Sequence, residues 1–511
     1  MLVELDRADE TPLYIQISRQ LREQIRGGSL TPGYRLPPER RLAAMLGVNR
    51  TTVVNAYREL AGDGLIISRV GQGTRVAQPG ELLAVPDEPA LALGRSPARL
   101  PWEQLFTAAT EVAQDPLLAD VQLVAARPDV ISFASGVPSP DLYPIEQIRS
   151  LLDEALHQSG QSLLQYCPTE GYMPLREVLA DWMARFGDPV DPASVVVVSG
   201  SQQGLYLLAR TLLEPGDVVA VESPTYLGAI QVFRSVGARL LPIPVDEEGM
   251  RVELLEESIG RRRPKLIYTL PTFQNPTGAT LSLERRRRLL ALAARHQVPI
   301  IEDDPYGALR YEGRSLPSLH ALDEAGTVIY LSTISKMLFP GFRIGWLAAP
   351  RPVIERLGLM KQIVDLDTNP LAQWAVWAFL ERGLLVEHVE RLRAVYPQRR
   401  DQMLAALARA CGGALELGRP EGGFYLWGRL TGGLRSRDLL PQAARRGVAF
   451  APGAPFHLDG GGEATLRLNF TLPDEAAIEV GVARLAAALA ALGAGQDGFG
   501  ERRVAAATPI V

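Results

Sequence analysis

Apolar residues recur at every fourth position near the start of the chain. Leu13, Ile17, Leu21 and Ile25 follow this spacing, and a Gly-Gly pair ends it. An i, i+4 apolar repeat predicts an amphipathic helix, and glycine just after the last apolar position is a helix stop. The first element is therefore predicted to be a helix that buries one face.

Two more helices and a hairpin are predicted downstream. Residues 38–46 form a short apolar-periodic segment that Gly47 ends, and residues 50–61 form a longer one. The strand-like segments 65–68 and 74–76 flank a glycine-containing turn, which is typical of a small β-hairpin. Helix, short helix, turn, helix and hairpin is the order of elements in a winged helix-turn-helix domain, which we place at residues 11–77.

Residues 78–101 break this pattern. They are dominated by Pro, Ala, Gly and scattered charges, a composition typical of a linker. A second domain is predicted to begin near Trp102 and to end near residue 492. The last residues, 493–511, are predicted to form a loose tail.

Strand-like and helix-like segments alternate through most of the second domain. This alternation predicts an α/β fold with a mostly parallel sheet covered by helices. The predicted strands are 195–199, 218–222, 266–270, 299–303 and 328–332. From about Pro397 the pattern changes to a helix, glycine-rich strands, another helix and a strand at 465–470, which predicts a smaller α+β lobe over 397–492.

Composition limits the class of protein. The 511 residues are 47% hydrophobic and 22% charged, which is globular, and no apolar run approaches the roughly 20 residues of a membrane span. The N-terminus lacks the pattern of a signal peptide, so we expect a cytoplasmic protein without membrane contact. Cys167 and Cys411 have no Cys or His neighbours at metal-binding spacing; we expect both to be buried small hydrophobes and expect no metal site.

Charge is divided unevenly along the chain. The net charge is −5, but the first 77 residues carry 11 arginines against 8 acidic residues. A basic N-terminal part is compatible with a polyanionic partner, although a solvated surface gives the same balance.

The residues that follow the predicted strands carry the candidate chemistry. In an open parallel sheet, ligands bind at the carboxyl ends of the strands. A glycine-flanked helix start there is suited to phosphate, because free N–H groups and the helix dipole point at it. Taken alone, the same pattern is also that of a tight strand-to-helix turn without a ligand. The strand ends supply Ser201 and Gln202, then Tyr226, then Asn275, then Asp303 and Tyr306, and finally Thr333, Ser335 and Lys336.

Lysine is scarce in this chain. Only Lys265, Lys336 and Lys361 occur among 53 basic residues. Lysine can lose its proton and form an imine, whereas arginine stays protonated. Lys265 and Lys361 are predicted to be solvated, while Lys336 lies just beyond a strand end between hydroxyl residues.

At these residues the chain resembles the fold type I pyridoxal-phosphate (PLP) enzymes, and in particular the class I and II aminotransferases of the 2-aminoadipate and kynurenine group. The matching motifs are SGSQQGL, ESPTY, PTFQNPTG, EDDPYG, STISKMLFPGFRIGW, PGAPF and LRLNF, in family order. The resemblance implies a pyridoxal 5'-phosphate cofactor contacted by Ser201, Gln202, Tyr226, Asn275, Asp303, Tyr306, Thr333, Ser335, Lys336, Arg343 and, from the neighbouring subunit, Tyr166.

The resemblance also implies individual roles. Lys336 would form the internal aldimine, Asp303 would pair with the pyridine nitrogen, and Tyr306, with Asn275, would contact the ring hydroxyl. Lys336, Asp303 and Tyr306 would be the catalytic residues. Arg467 would hold a substrate carboxylate, for which its forked N–H groups are suited.

The N-terminal part is similar to the GntR family of DNA-binding domains, through LPPERRLA, GVNRTTV and AYREL. That family places the start of the third helix on DNA. The resemblance implies contacts to double-stranded DNA from Arg40, Arg50, Thr51 and Thr52, with the wing residue Gly71 in the minor groove. A helical bundle used only for dimerisation is the alternative from the helices alone, and the turn and wing argue against it.

A GntR-type domain joined to an aminotransferase-like domain resembles the MocR group of transcriptional regulators. This implies a homodimer that senses PLP or an amino-compound effector, such as an amino acid, through aldimine exchange at Lys336, and binds an operator accordingly. One alternative is an active aminotransferase of the 2-aminoadipate or kynurenine type with a DNA-binding appendage. A sensor of PLP alone, without an amino effector, is another.

Overall fold

The computed structural model describes residues 3, 5–6, 11–63, 65–69, 73–78, 105–107 and 116–504. The predicted wing residue Gly71, most of the predicted linker and residues 505–511 of the predicted tail lie outside the described residues. The chain divides into two compact units, Met1–Trp102 and Glu103–Val511.

The first unit is a winged helix-turn-helix. Its elements are α1 (Leu13–Arg26), α2 (Glu39–Leu46), α3 (Arg50–Gly62), β1 (Ile66–Arg69) and β2 (Gly73–Val76). The two strands pair antiparallel, with Ile66 opposite Val76. The helices pack through the predicted apolar faces, so that Ile17, Leu42 and Val53 are fully buried.

The second unit contains an eight-stranded sheet in the order β4-β11-β10-β9-β8-β5-β6-β7. β5, β6, β8, β9 and β10 run parallel, and β11 lies antiparallel between β10 and β4. The five predicted strands all occur in it, each with bounds within one residue of the prediction. The strands are β4 (Val195–Val198), β5 (Val218–Ser223), β6 (Arg239–Asp246), β7 (Gly249–Met250), β8 (Leu266–Thr269), β9 (Ile300–Asp303), β10 (Val328–Thr333) and β11 (Gly345–Ala348).

Helices alternate with these strands, as the sequence pattern predicts for an α/β fold. The helices of the second unit are α4 (Pro116–Ala125), α5 (Ile145–Leu163), α6 (Met173–Ala184), α7 (Ser201–Leu212), α8 (Leu227–Ser235), α9 (Val252–Arg262), α10 (Leu283–His296), α11 (Leu319–Leu322), α12 (Arg351–Val364), α13 (Pro370–Glu381), α14 (Leu384–Cys411), α15 (Ser436–Arg445) and α16 (Glu475–Val504). Within the described residues, no helix is both long and apolar enough to cross a membrane.

A smaller α+β lobe follows the large sheet. Its four-stranded antiparallel sheet has the order β12-β13-β16-β15. The strands are β12 (Leu415–Leu417), β13 (Tyr425–Leu430), β15 (Ala451–Pro452) and β16 (Thr465–Asn469), while β14 (Val448–Ala449) pairs with β3 (Ile131–Ser132).

Two predicted boundaries of this lobe are wrong. The helix α14 continues through Pro397, because buried residues such as Leu392 and Met403 hold it on both sides of the proline despite the lost backbone hydrogen bond. The core of the lobe also includes Val121 and Phe133 from the start of the unit. At the other end, α16 extends to Val504 where a loose tail is predicted.

Candidate functional site

A cavity of about 300 Å³ lies at the carboxyl ends of the central strands. It gathers residues from strand ends that are far apart in sequence, as expected for a parallel sheet. Of the predicted cofactor-contacting and carboxylate-binding residues, every one except Tyr166 lines it. The lining comprises Gly136, Ser201, Gln202, Tyr226, Leu227, Leu270, Asn275, Asp303, Pro305, Tyr306, Thr333, Ser335, Lys336, Pro340, Arg343, Tyr425 and Arg467.

Lys336 occupies the turn that follows β10. Its Nζ donates a hydrogen bond of 2.6 Å to the carbonyl oxygen of Gly136. Burial lowers the pKa of this amine, an effect that Tyr425 opposes and the charge of Arg467 reinforces. A neutral amine is the nucleophilic form of lysine, and the lowered pKa favours that form of Lys336.

Asp303 ends β9 and lines the cavity. Its Oδ2 accepts a hydrogen bond of 2.7 Å from the hydroxyl of Tyr268, while its Oδ1 is buried without a partner. Burial raises the pKa of this carboxyl to about 7, although the Tyr268 hydrogen bond acts in the opposite direction. An unpartnered buried acceptor is costly, so this oxygen is fitted to receive a donor from a bound molecule.

The start of α7, which we name the phosphate seat, has a backbone geometry suited to an anion. Gly200 has φ of +84°, a conformation that glycine adopts without steric cost. The N–H groups of Gln203 and Gly204 bond to the carbonyl of Gly200, which leaves those of Ser201 and Gln202 for an anion.

Arg343 adds positive charge to this seat. Its Nη2 lies 3.5 Å from the carbonyl oxygen of Ser199, and a Cβ placed on Gly200 would come 2.4 Å from the same nitrogen. Thr333 and Ser335 line the cavity nearby and bond to each other through their hydroxyls at 2.9 Å. The seat therefore combines backbone N–H groups, hydroxyls and one guanidinium, a set that binds phosphate oxygens.

Arg467 and aromatic rings also line the cavity. The guanidinium donates to Asn275 Oδ1 and to the carbonyl of Ala134, both at 2.8 Å, while its buried Nε lacks a partner. The ring of Tyr425 lies 4.1 Å from the guanidinium carbon, and the Tyr425 hydroxyl accepts a 3.1 Å bond from Tyr306. Cation–π contact and two hydrogen bonds therefore fix the orientation of Arg467.

Tyr226 lines the same cavity. Its hydroxyl donates to Gln202 Oε1 at 3.0 Å, and the Gln202 Nε2 donates to the carbonyl of Gly228. Burial raises the pKa of Tyr226 to about 12, so the phenol stays neutral. Its ring is thus tied to the phosphate seat by the Gln202 side chain.

Sequence reasoning missed three residues of this site. Tyr425 begins β13 two residues after a Gly-Gly pair, and the aromatic pair that follows the glycines is a signal that could have been used. Tyr268 lies in the middle of β8 and Gly136 lies in a loop. Neither has a local signal, because their partners Asp303 and Lys336 are distant in the chain.

Tyr166 lies outside the cavity. Its side chain is 79% exposed, and it borders a different surface depression together with Asp367 and Pro370. Its predicted contact with a neighbouring subunit therefore remains a prediction.

Two other predictions about polar residues need correction. Lys361 is fully buried and pairs with Asp365 at 2.7 Å, although it is predicted to be solvated. Lys265 is about half exposed, as predicted, and pairs with Asp217. Cys167 and Cys411 are half-buried rather than buried, and the Sγ of Cys167 accepts a hydrogen bond from Gln373.

The predicted DNA-contacting residues lie around the start of α3. Asn49 caps this helix by accepting from the N–H of Thr51. Arg40, Arg50 and Thr51 are exposed and Thr52 is half-buried. The guanidinium of Arg50 pairs with Glu39 at 2.9 Å. This surface therefore presents two arginines and a helix N-terminus, both of which suit phosphate contact.

Comparisons with known proteins match both units. The family described as aminotransferase class I and II matches residues 128–485, and the family described as bacterial regulatory proteins, gntR family, matches residues 13–76. Aromatic-amino-acid aminotransferase 1 of Thermococcus litoralis is 43% identical over 364 residues, which are 70% of this chain and 87% of that protein.

A relative with a regulatory name covers more of the chain. The probable rhizopine catabolism regulatory protein MocR of Rhizobium meliloti is 33% identical over 455 residues, 88% of each protein. A solved structure, LysN, an α-aminoadipate aminotransferase of Thermus thermophilus complexed with N-(5'-phosphopyridoxyl)-L-leucine, superposes with a TM-score of 0.73 at 38% identity, covering 77% of this chain and all of that one. The match to MocR is longer than the second unit and therefore includes part of the first.

Proposed function

The chain belongs to the class I and II aminotransferase family and carries a gntR-family domain at its N-terminal end, the domain combination of the MocR group; on this basis we propose that it is a DNA-binding transcriptional regulator. It senses PLP or an amino compound through amine exchange at Lys336. The observation that carries the proposal is the presence, in one chain, of an exposed helix start with two arginines and a buried lysine whose pKa is lowered.

The residues of the cavity fit PLP, the cofactor of this family. The unpartnered Oδ1 of Asp303 suits the protonated ring nitrogen, and the helix start at Ser201 with Arg343 suits the phosphate. The backbone of this turn is held closely against β11, because a Cβ on Gly345 would come 2.8 Å from the backbone nitrogen of Ser201. When bound, PLP supplies an aldehyde carbon for amines and a ring that takes up electrons.

Each side chain of the cavity has a distinct role in this proposal. Lys336 supplies the neutral amine and can carry a proton near the reacting carbon. Asp303 would keep the ring nitrogen charged, and Tyr306 and Asn275, which line the same cavity, would contact the ring hydroxyl. Arg467, already oriented by Tyr425, receives the carboxylate of an amino-acid effector.

Regulation follows if the effector binds two arrangements of the protein with different affinity, because a ligand shifts an equilibrium only by that difference. We propose that closure around an effector carboxylate at Arg467 favours one arrangement of the DNA-binding units in a homodimer. In that homodimer, Tyr166 extends to the phosphate seat of the neighbouring subunit. Arg40, Arg50, Thr51, Thr52 and the wing contact an operator.

A second candidate function is catalysis of transamination. It is favoured by the completeness of the cavity, in which lysine, aspartate, tyrosine and the carboxylate-binding arginine are all present, and by the strong match to an aminotransferase. A sensor of PLP that takes no amino effector is a third candidate. These candidates differ in what an added amino acid does.

Turnover measurements separate the three. The purified, PLP-loaded chain is mixed with individual amino acids and a 2-oxo acid, and both the visible spectrum and keto-acid formation are followed. The regulator shows spectral change with an amino compound but little turnover. Turnover at about 1 per second or faster contradicts a purely sensory role, whereas a spectrum that no amino compound changes favours the sensor of PLP alone.

A further inference from the structure

A group of polar side chains, one buried and three half-buried, lies next to the phosphate seat and outside the cavity. It consists of Lys361, Asp365, Gln203 and Ser199. Lys361 comes from α12 and is 0% exposed, and Asp365 follows the end of that helix with 22% of its side chain exposed. None of the four lines the cavity, so none is accounted for by the proposed cofactor contacts.

Asp365 is the centre of this group. Its Oδ1 accepts from Lys361 Nζ at 2.7 Å, and its Oδ2 accepts from Gln203 Nε2 at 2.6 Å and from Ser199 Oγ at 3.1 Å. The other end of the Gln203 amide is also used, since its Oε1 accepts from the backbone N–H of Ser199 at 2.7 Å. The four residues therefore form one continuous chain of hydrogen bonds.

This chain of hydrogen bonds ends on the turn that seats the phosphate. Ser199 and Gln203 flank Gly200, Ser201 and Gln202, and the carbonyl of Ser199 also receives Arg343. A glycine at positive φ gives this turn its shape but does not by itself fix it, because glycine is flexible. The contacts from Asp365 to both flanking residues supply the missing restraint.

Because burying charge is costly, a positioning role accounts for the Lys361–Asp365 pair better than a purely stabilising one. A buried ion pair is weak evidence for stability, because desolvation offsets much of the attraction between its partners. The ammonium of Lys361 is fully buried, in a chain whose basic residues are almost all arginine. The Asp365 carboxylate, which Lys361 supports, accepts two further hydrogen bonds from Ser199 and Gln203 of the turn.

We propose that Asp365, held by the buried Lys361, is a positioning residue that fixes the Ser199–Gln203 turn for binding of the cofactor phosphate. Asp365 contacts no cofactor atom itself. The proposal rests on the PLP site and is independent of whether the chain regulates transcription, so failure of one leaves the other open.

The test compares PLP with pyridoxal, which has the same ring and aldehyde but no phosphate. Apparent dissociation constants for both are measured by visible absorbance of the full chain. Asp365→Asn is expected to weaken PLP binding by about tenfold while pyridoxal binding changes by less than about twofold. Asp217→Asn is the matched control, because it removes the carboxylate of the exposed Lys265 pair and is expected to leave both constants unchanged.

A second variant guards against misfolding. Asp365→Leu combined with Lys361→Met removes both charges together and leaves no unpaired buried ion, and it is expected to weaken PLP selectively as well. Folded variants whose PLP affinity stays within about twofold of the unaltered protein, or that lose PLP and pyridoxal equally, overturn the proposal. An unaltered chain that binds no PLP contradicts the cofactor assignment instead.

Discussion

At the scale of single residues, burial gives several carboxyl groups similar pKa values but leaves them different partners. Burial raises the pKa of Glu222, Glu302 and Asp303 to about 7 in each case. Both oxygens of Glu222 accept hydrogen bonds, as do both of Glu302. Asp303 alone among the three retains an unpartnered oxygen, which marks it as the carboxylate arranged for a ligand.

Asp303→Asn is predicted to stabilise the cofactor-free protein at high pH. The folded-state pKa of about 7 lies above the ordinary value of 3.8, so the folded state binds the proton more tightly. The folded state is therefore increasingly penalised as pH rises from about 4 to 7. Asparagine avoids this penalty and should raise the free energy of unfolding by about 1 to 4 kcal/mol at pH 8.

Urea unfolding of the cofactor-free protein at pH 5 and pH 8 measures this effect. The difference between Asp303→Asn and the unaltered chain should widen toward pH 8, whereas Asp217→Asn, at an exposed ion pair, should show no such widening. A difference that is the same at both pH values would show that burial of Asp303 carries no pH-dependent cost.

Lys336 and Lys361 show which features of a lysine can be predicted from local sequence and which cannot. Lys336 can be identified from the sequence because it follows the end of a strand. In an open parallel sheet, ligands bind at the carboxyl ends of the strands, whatever the order of the strands in the sheet. Lys361 is not identifiable, because its burial depends on Asp365 and on the turn at Ser199, more than 150 residues earlier in the chain. Tertiary contacts of this kind leave no periodic signal.

At the scale of elements, five of the eight strands of the large sheet are predicted, because these five are almost wholly buried and each begins with consecutive apolar residues. The run Val195–Val198 is fully buried, for example. The strands β6, β7 and β11 are not predicted, and β6 alternates between buried and more exposed positions. The boundaries of the small lobe are not predictable in this way. Phe133 joins the core of the small lobe because β3 pairs with β14. A pairing between segments so far apart in the chain leaves no local pattern in the sequence.

The turn between β4 and α7 gives a prediction at this scale. Gly200→Ala places a Cβ on a residue with φ of +84° and 2.4 Å from Arg343 Nη2. It should lower stability by about 1 kcal/mol or more and weaken PLP binding by about tenfold or more.

Gly216→Ala is the matched control for this turn. Gly216 also has positive φ, but a Cβ there would meet no atom within 4 Å, so it should lower stability while leaving PLP affinity intact. Thermal unfolding and PLP titration of both variants decide the matter. Equal loss of PLP affinity in the two variants would mean that general strain, and not the phosphate seat, is responsible.

The pair between α2 and α3 gives a second prediction. Glu39 neutralises Arg50 across an exposed ion pair, so Glu39→Gln should free the guanidinium and strengthen DNA binding by a few-fold, about 2 to 10 times at low salt. Asp63→Asn is the control, since it makes the same change of charge at the Arg22 pair. Fluorescence anisotropy on one DNA fragment at two salt concentrations measures the DNA affinity of both variants. If both variants bind DNA more tightly by the same factor, the effect is due to net charge and not to the release of Arg50.

At the scale of the whole molecule, two units carry two separate chemistries. The first presents an arginine-bearing helix start, and the second encloses Lys336 among residues suited to PLP. An aminotransferase needs only the second unit, whereas a regulator needs both and a response of one to the other. The central claim is therefore that chemistry at Lys336 changes the affinity for DNA.

Fluorescence anisotropy with DNA from the region upstream of the chain's own coding sequence tests this claim most directly. Binding is measured without ligand, with PLP, and with PLP plus amino acids, for the unaltered chain, Lys336→Arg and the surface control Lys265→Arg. We predict that ligand changes the affinity by about fivefold or more in the unaltered chain and in Lys265→Arg, and leaves Lys336→Arg at its own ligand-free value. Equal affinity under all ligand conditions in the unaltered chain, or the same shift in Lys336→Arg, would contradict the account.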